Sequence, residues 1–388
     1  MKQVRRLLAL ALATCGALFL SALVFLSGAP DALESPADGH TLIGVQMDWA
    51  TENPRTYVER TGIHPAQYGD FMAYPLTAKT KAILGAEAKE AGQQRGNFFI
   101  TLMPQGGLET VTEDNAKTTA LTLATLNKTG VHFYVRFGHE MNGSWYAWCQ
   151  QPEAYIKAFR IVANAVHRYA PGNAVIWSPN IGSGYPFPDE EFSAKPGTAD
   201  FTALDTDRDG RLTIKDDPYA PYYPGDEYVD WVGLTFYWWG FKWPWGDNEI
   251  PDNRFVSSIR GSYRGQYDDE RPVPDFYEAY AAAKNKPMAI SETAALYNTA
   301  SDHSPWDNDI KQAWVDQVFA PTNEDEFPLL KMINWFEHKK PEKGTTGIID
   351  WRTTGESQQL TLYRRAVVSQ ARFEFAPGRW EIQFPYWG

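Results

Sequence analysis

Residues 131–148 read VHFYVRFGHEMNGSWYAW. The stretch opens with Val131, Phe133, Val135 and Phe137 alternating with His132, Tyr134, Arg136 and Gly138. Apolar or aromatic side chains fall on both faces, the pattern of a central parallel strand covered on both sides. It ends in a polar cluster, Gly138-His139-Glu140-Met141-Asn142-Gly143, followed at once by Trp145, Tyr146 and Trp148. A carboxylate, an imidazole and an amide at a strand's C-terminal end sit where α/β barrels build their chemistry. Aromatic rings beside them offer flat apolar faces with polar rims, which suits a sugar ring. A polar turn capped by core aromatics is the plain alternative.

On either side the chain alternates short apolar runs with helix-forming segments. Strands are predicted at 42–48, 71–74, 97–103, 174–178, 230–236, 287–291 and 331–336, which with the quoted stretch makes eight. Helices are predicted at 77–91, 113–128, 152–170, 274–284, 307–319 and 356–370, with a short helix or turn at 54–62. Eight short strands interleaved with helices, without an internal repeat, predict a (β/α)8 barrel. Two long excursions, 181–227 and 238–271, leave the C-terminal ends of the fifth and sixth strands, where functional loops belong. Glu292 ends the seventh strand much as Glu140 follows the fourth, so the two acids converge across the barrel mouth. Cleaving a glycosidic bond with retention of configuration requires two carboxyls ~5–5.5 Å apart, one protonated and one ionised.

The quoted stretch resembles the acid/base segment of glycoside hydrolase family 26, retaining endo-glycanases on (β/α)8 barrels with β-mannanases as the best-known members. There the pattern runs roughly R-x-x-HEMNG-x-W-x-x-W. Arg136, His139, Glu140, Asn142, Gly143, Trp145 and Trp148 fall on it. The resemblance implies that Glu140 is the general acid/base and Glu292 the nucleophile. It also implies that Tyr237 hydrogen-bonds the nucleophile and that Trp335, on the eighth strand, floors the sugar site. Arg136, His139, Asn142, Trp145 and Trp148 join Tyr237 and Trp335 as expected substrate-binding residues. Arg136 precedes Glu140 by four residues, and a guanidinium beneath the two acids would keep Glu292 ionised.

Within the first excursion, residues 205–216 read DTDRDGRLTIKD and fit the calcium-loop pattern D-x-D-x-D-G with an acid at the twelfth place. Asp205, Asp207 and Asp209 would give side-chain oxygens, Arg211 its backbone carbonyl, and Asp216 stands where Glu is usual. The loop is far in sequence from both glutamates. A bound Ca²⁺ is therefore expected to staple the excursion, with no cofactor needed for the chemistry. The second excursion carries Trp238, Trp239, Phe241, Trp243 and Trp245 within eight residues. These rings either extend a sugar cleft or pack the loop onto the barrel, with one or two expected at the cleft.

The 388 residues, 43% hydrophobic, can bury a large core. A formal charge of −12 opposes nucleic acid or anionic membrane surfaces as partners, and 15 Trp suit a carbohydrate ligand. Residues 1–29 carry Lys2, Arg5 and Arg6 ahead of an apolar run from Leu7 to Leu26. This reads as a cleaved signal, a signal-anchor holding the protein to a membrane through residues 7–26, or a lipoprotein signal at Cys15. Each puts residues 40–388, the catalytic barrel, outside the cytoplasm: secreted or periplasmic, a linker at 30–39 following the leader. Cys15 and Cys149 are the two cysteines, so the mature body forms no intramolecular disulfide, and Cys149 reads as a small buried filler.

The function expected is a monomeric retaining endo-glycoside hydrolase acting on a β-linked polysaccharide, first of all β-1,4-mannan. The family also holds enzymes for mixed-linkage β-1,3/1,4-glucan and β-1,3-xylan. A catalytically silent polysaccharide-binding barrel is the rival class, and it would need stacking surfaces without an acid pair. An anchored enzyme trimming chains beside an exopolysaccharide synthase keeps the chemistry and changes the setting.

Overall fold

Eight parallel strands pair in chain order: β1 (Thr41–Met47), β2 (Gln67–Ala73), β3 (Asn97–Met103), β4 (Phe133–Phe137), β5 (Ala174–Trp177), β6 (Trp231–Thr235), β7 (Met288–Thr293) and β8 (Leu330–Glu337). β8 pairs back onto β1, from Leu42 opposite Met332 to Met47 opposite Glu337, which closes the sheet. With helices between the strands this is the expected (β/α)8 barrel. The computed structural model describes residues 33, 35–187, 191–242, 245–266, 271–301 and 306–376. The leader at 1–29, Cys15, Trp243 and the C-terminal tail lie outside the described residues.

Local chemistry sets the helix starts. Thr77 accepts a hydrogen bond from the Thr80 amide ahead of the helix Ala78–Gln93, and Thr112 does the same ahead of Glu113–Asn127. Pro152 occupies the first turn of Pro152–Tyr169, where its missing N–H costs nothing. The later helices include Asp307–Val318 and Ser357–Val368. β2 begins four residues before its predicted start, because Gln67 and Gly69 face a partly polar barrel interior that an apolar count overlooks.

The interior has two layers. Near the N-terminal ends of the strands, Phe99, Tyr134, Ala174, Ile176, Trp231, Ala289 and Met332 form an apolar plug separate from the main core. Above it the filling turns polar. Gln67 donates to Asn334 Oδ1 at 2.7 Å, and Gln46 donates to the Ser291 carbonyl at 2.9 Å. Gly44 makes room for them, since a Cβ there would stand 2.0 Å from Asn334 Oδ1. The main core lies between barrel and helices, where each large apolar side chain contributes ~1.5–3 kcal/mol by burial.

The described part of the predicted linker lies against the barrel. Leu33 packs on the apolar plug, and the buried Lys331 donates to the Ala37 carbonyl at 3.1 Å. A short strand, β11 (Phe373–Glu374), pairs with the first two residues of β1. Between β8 and the last helix an antiparallel hairpin, β9 (Lys339–Pro341) and β10 (Ile348–Asp350), rises beside the mouth. The loops after β5 and β6 are the two long excursions expected there.

Candidate active site

Glu140 lies in the turn after β4 in a left-handed conformation, φ 55°. A non-glycine residue held there costs ~1–3 kcal/mol and persists only where its surroundings over-determine it. They do so here. Its N–H donates to the Ser178 carbonyl at 3.0 Å, and its own carbonyl accepts from the Gly143 amide at 2.8 Å and the Cys149 thiol at 3.3 Å. Asn142 adds a two-way clamp, donating to the Asn180 carbonyl and accepting from the Asn180 amide, each at 2.8 Å. The backbone after β4 is thereby stitched to the end of β5. The Glu140 side chain receives the Trp145 indole N–H at 2.8 Å on Oε2.

Glu292 is the penultimate residue of β7 and is buried. Its Oε1 meets the Arg136 guanidinium, and its Oε2 accepts from the Tyr237 hydroxyl at 2.6 Å. Arg136 is wholly buried, with its guanidinium 5.9 and 5.7 Å from the Phe71 and Phe99 rings. One ligand-type atom each from His139, Glu140 and Glu292 lie within 4.8 Å of one another. Two buried carboxyls this close cannot both ionise freely. Burial, and then the charge of Glu292, push Glu140 up to about 7, against the opposing pull of Arg136, Trp145 and Thr235. Burial and Arg136 hold His139 well below its ordinary range, so the imidazole is neutral at neutral pH. Burial and Glu292 raise Tyr237, which keeps its proton to donate.

No protein-family model matches the chain. Endoglucanase H of Acetivibrio thermocellus is 23% identical over 245 residues, 61% of this chain and 20% of that protein. The chain thus spans about a fifth of the length of the curated relative it matches. A modular endo-β-1,4-mannanase from Cellulomonas fimi, described with the family 26 glycoside hydrolases, superposes with TM-score 0.53, covering 87% of this chain and 73% of that one at 16% identity. The catalytic domain of the family 26 endo-β-1,4-mannanase of Bacillus sp. JAMB-750 gives 0.53, covering 87% and 88% at 14% identity. The fold is that of the family 26 mannanases.

On this barrel the residues expected at the site separate into two groups. Arg136, His139, Glu140, Tyr237 and Glu292 converge, with Trp145 half-buried beside them. Trp148 and Asn142 stand behind. Trp148 is 1% exposed, donates to the His139 carbonyl at 2.7 Å and stacks on Tyr146 at 4.5 Å, so it supports the site from below and offers no face to a sugar. Asn142 is wholly buried, its amide engaged in the Asn180 clamp.

Trp335 must be reassigned. It points outward from β8, is 1% exposed, and packs 5.6 Å from Phe319 and 5.5 Å from Tyr363 in the layer under the helices. Neighbouring strand residues face opposite sides, so Phe336 takes the inward position, 5.6 Å from Tyr237 and 6.4 Å from Phe71. A tryptophan does lie beside Tyr237, the hydrogen-bond partner of Glu292: it is Trp351, at 5.1 Å, in the segment after β10. Tyr146 was also missed as a site residue. Its ring is 5.0 Å from His139, and burial followed by the charges of Glu140 and Glu292 raise its hydroxyl.

In the acidic loop, Asp205, Asp207 and Asp209 bring one carboxylate oxygen each within 4.8 Å of the others. Gly210, φ 81°, makes the turn, and its amide donates to Asp205 Oδ2 at 2.9 Å. Asp216 departs from the expected ligand set. Its buried carboxylate accepts the Thr206 amide at 2.7 Å and the Thr213 amide at 2.8 Å, tying the loop's two ends together. The Arg211 amide donates to Asp209 at 2.9 Å. Three converging oxygens suit a hard cation, whereas the twelfth-position carboxylate is already satisfied by backbone.

Proposed function

We propose that the chain is a retaining endo-glycoside hydrolase cleaving a β-linked polysaccharide, with β-1,4-mannan as its first substrate. The observation that carries this reading is the close approach of the two acids, one carboxylate oxygen of Glu140 lying within 4.8 Å of one of Glu292. Retaining enzymes need ~5–5.5 Å between carboxyls, and inverting ones ~6.5–9.5 Å to admit a water. Glu292, ionised against Arg136 and oriented by Tyr237, attacks the anomeric carbon as the C–O bond to the leaving sugar breaks. Glu140, protonated up to about pH 7, gives its proton to the departing oxygen. A glycosyl ester on Glu292 results. Water then attacks the same carbon, Glu140 takes the water's proton, and Glu292 leaves, restoring both groups.

The choice of mannan rests on the names of the structural relatives, and the endoglucanase name of the curated relative makes β-glucan the second choice. Digestion of mannan, mixed-linkage glucan and β-1,3-xylan with product analysis, and Glu292→Ala as control, tests both. NMR of the first product should show the retained anomer. An inverted anomer removes the nucleophile role from Glu292. The same proposal places the barrel outside the cytoplasm behind the leader at 1–29, as a monomer. Its acidic loop takes a structural Ca²⁺ on Asp205, Asp207 and Asp209, and binding to the native state alone should raise stability with ion concentration. If chelator and Asp207→Ala both leave the melting temperature unchanged, the calcium part is wrong.

A further inference from the structure

We infer that Trp239 and Trp245, on the excursion after β6, form glycone-side subsites that fix how many sugars the cleft grips beyond the scissile bond. The inference rests on the glycanase reading above and adds residues to it. From the nucleophile outward the rings run in sequence. Tyr237, bonded to Glu292, is 5.1 Å from Trp351; Trp351 is 4.7 Å from Trp239; Trp239 is 6.3 Å from Trp245. Each step is about the footprint of one ring. Trp239 and Trp245 are half-buried, whereas Trp238, just ahead of both in sequence, is 1% exposed and serves as the root of the loop.

The residues flanking these rings are tied down. Trp238 donates to the Glu249 carbonyl at 2.7 Å and lies under the Arg254 guanidinium at 4.7 Å. Asn248 and Asn298 exchange hydrogen bonds of 3.1 and 2.8 Å, and Asn298 also donates to the Gly246 carbonyl at 3.0 Å. Trp351 is pinned through its indole N–H to Glu342 at 2.8 Å. Preset rings bind without paying for loop ordering on contact.

Direction follows from the chemistry. The leaving sugar departs from the side of the proton donor, and Glu140 is flanked there by Trp145, which packs on Phe187 at 5.2 Å. The aromatic run leaves from the nucleophile's partner on the other flank, where the retained glycone lies.

The test is cleavage mapping on reducing-end-labelled β-1,4-mannohexaose, cellohexaose and β-1,3-xylohexaose, with kcat/KM compared for three- to six-residue chains. Trp239→Ala and Trp245→Ala should lower kcat/KM about 3- to 10-fold on the long chains only, and move the cut towards the non-reducing end. Trp239→Phe, which keeps a ring and the fold, should fall between. An unchanged cleavage pattern and chain-length dependence in folded variants overturns the subsites alone. A shift towards the reducing end assigns the run to the leaving-group side and overturns the direction argued here. A wild-type protein inactive on all three hexaoses overturns the glycanase reading first, and this inference with it.

Discussion

Replacing Trp145 by Phe should move the alkaline limb of the pH–rate profile upward. The indole N–H reaches Glu140 Oε2 at 2.8 Å and stabilises the ionised carboxylate. It is one of the influences lowering Glu140, set against burial and the charge of Glu292, whose net effect leaves the group at about 7. Phe keeps the packing against Phe187 and removes the donor. A hydrogen bond to a charged acceptor is worth ~1.5–3 kcal/mol, and 1.36 kcal/mol corresponds to one pH unit. The limb should therefore rise by about one to two pH units. Profiles of kcat/KM from pH 5 to 10 report the free enzyme's acid, which must be protonated for the first step. A limb that stays in place, or moves to lower pH, refutes either the hydrogen bond's effect or Glu140 as proton donor.

Glu140→Gln should stabilise the fold at alkaline pH. The folded protein holds this proton up to about pH 7, whereas an ordinary value is 4.5, so stability declines between those values and the loss is complete above them. The variant should gain up to about 3 kcal/mol over wild type in urea denaturation at pH 8, shrinking to near zero at pH 4. Asp70 on β2 and Glu87 on the helix Ala78–Gln93 form a second acid pair, which burial above all raises to about 6 and about 9. Stability from their shared proton is present at low pH and lost as pH rises through about 9, so Glu87→Gln should flatten the fall in melting temperature between pH 7 and 10. Trp335→Phe should lower the melting temperature by opening a cavity under the helices while leaving kcat/KM unchanged. A raised KM would return Trp335 to the sugar site.

The barrel was legible because its signal is repeated eight times. Errors of one to four residues at strand ends, as at β2, do not disturb the order of strands. The positions of Glu140 and Glu292 were legible for the same reason, each following from its strand's place in that order. Facing was not. In Lys331-Met332-Ile333-Asn334-Trp335-Phe336 both faces of the strand are covered, so hydrophobicity carries no parity. The side-chain amide did: Asn334 bonds Gln67 inside the barrel, which sends Trp335 outward. Trp351 left no such mark, since it reaches Tyr237 from an irregular segment whose path depends on the hairpin before it. The left-handed turn at Glu140 was equally silent, being imposed by Ser178, Gly143 and Cys149 across loops.

The seat of Leu33 and the clasp of Lys331 on the Ala37 carbonyl belong to the closed end of the barrel, a full strand length from the glutamates. An attachment made upstream of residue 33, whether to a resin, a second module or a bilayer, therefore pulls on the end away from the cleft. Its load falls on β1 and β8, at the opposite end of the strands from Glu140 and Glu292. Coupling through that end should preserve access to long substrates, whereas coupling through the β9–β10 hairpin would set the attachment beside the aromatic wall.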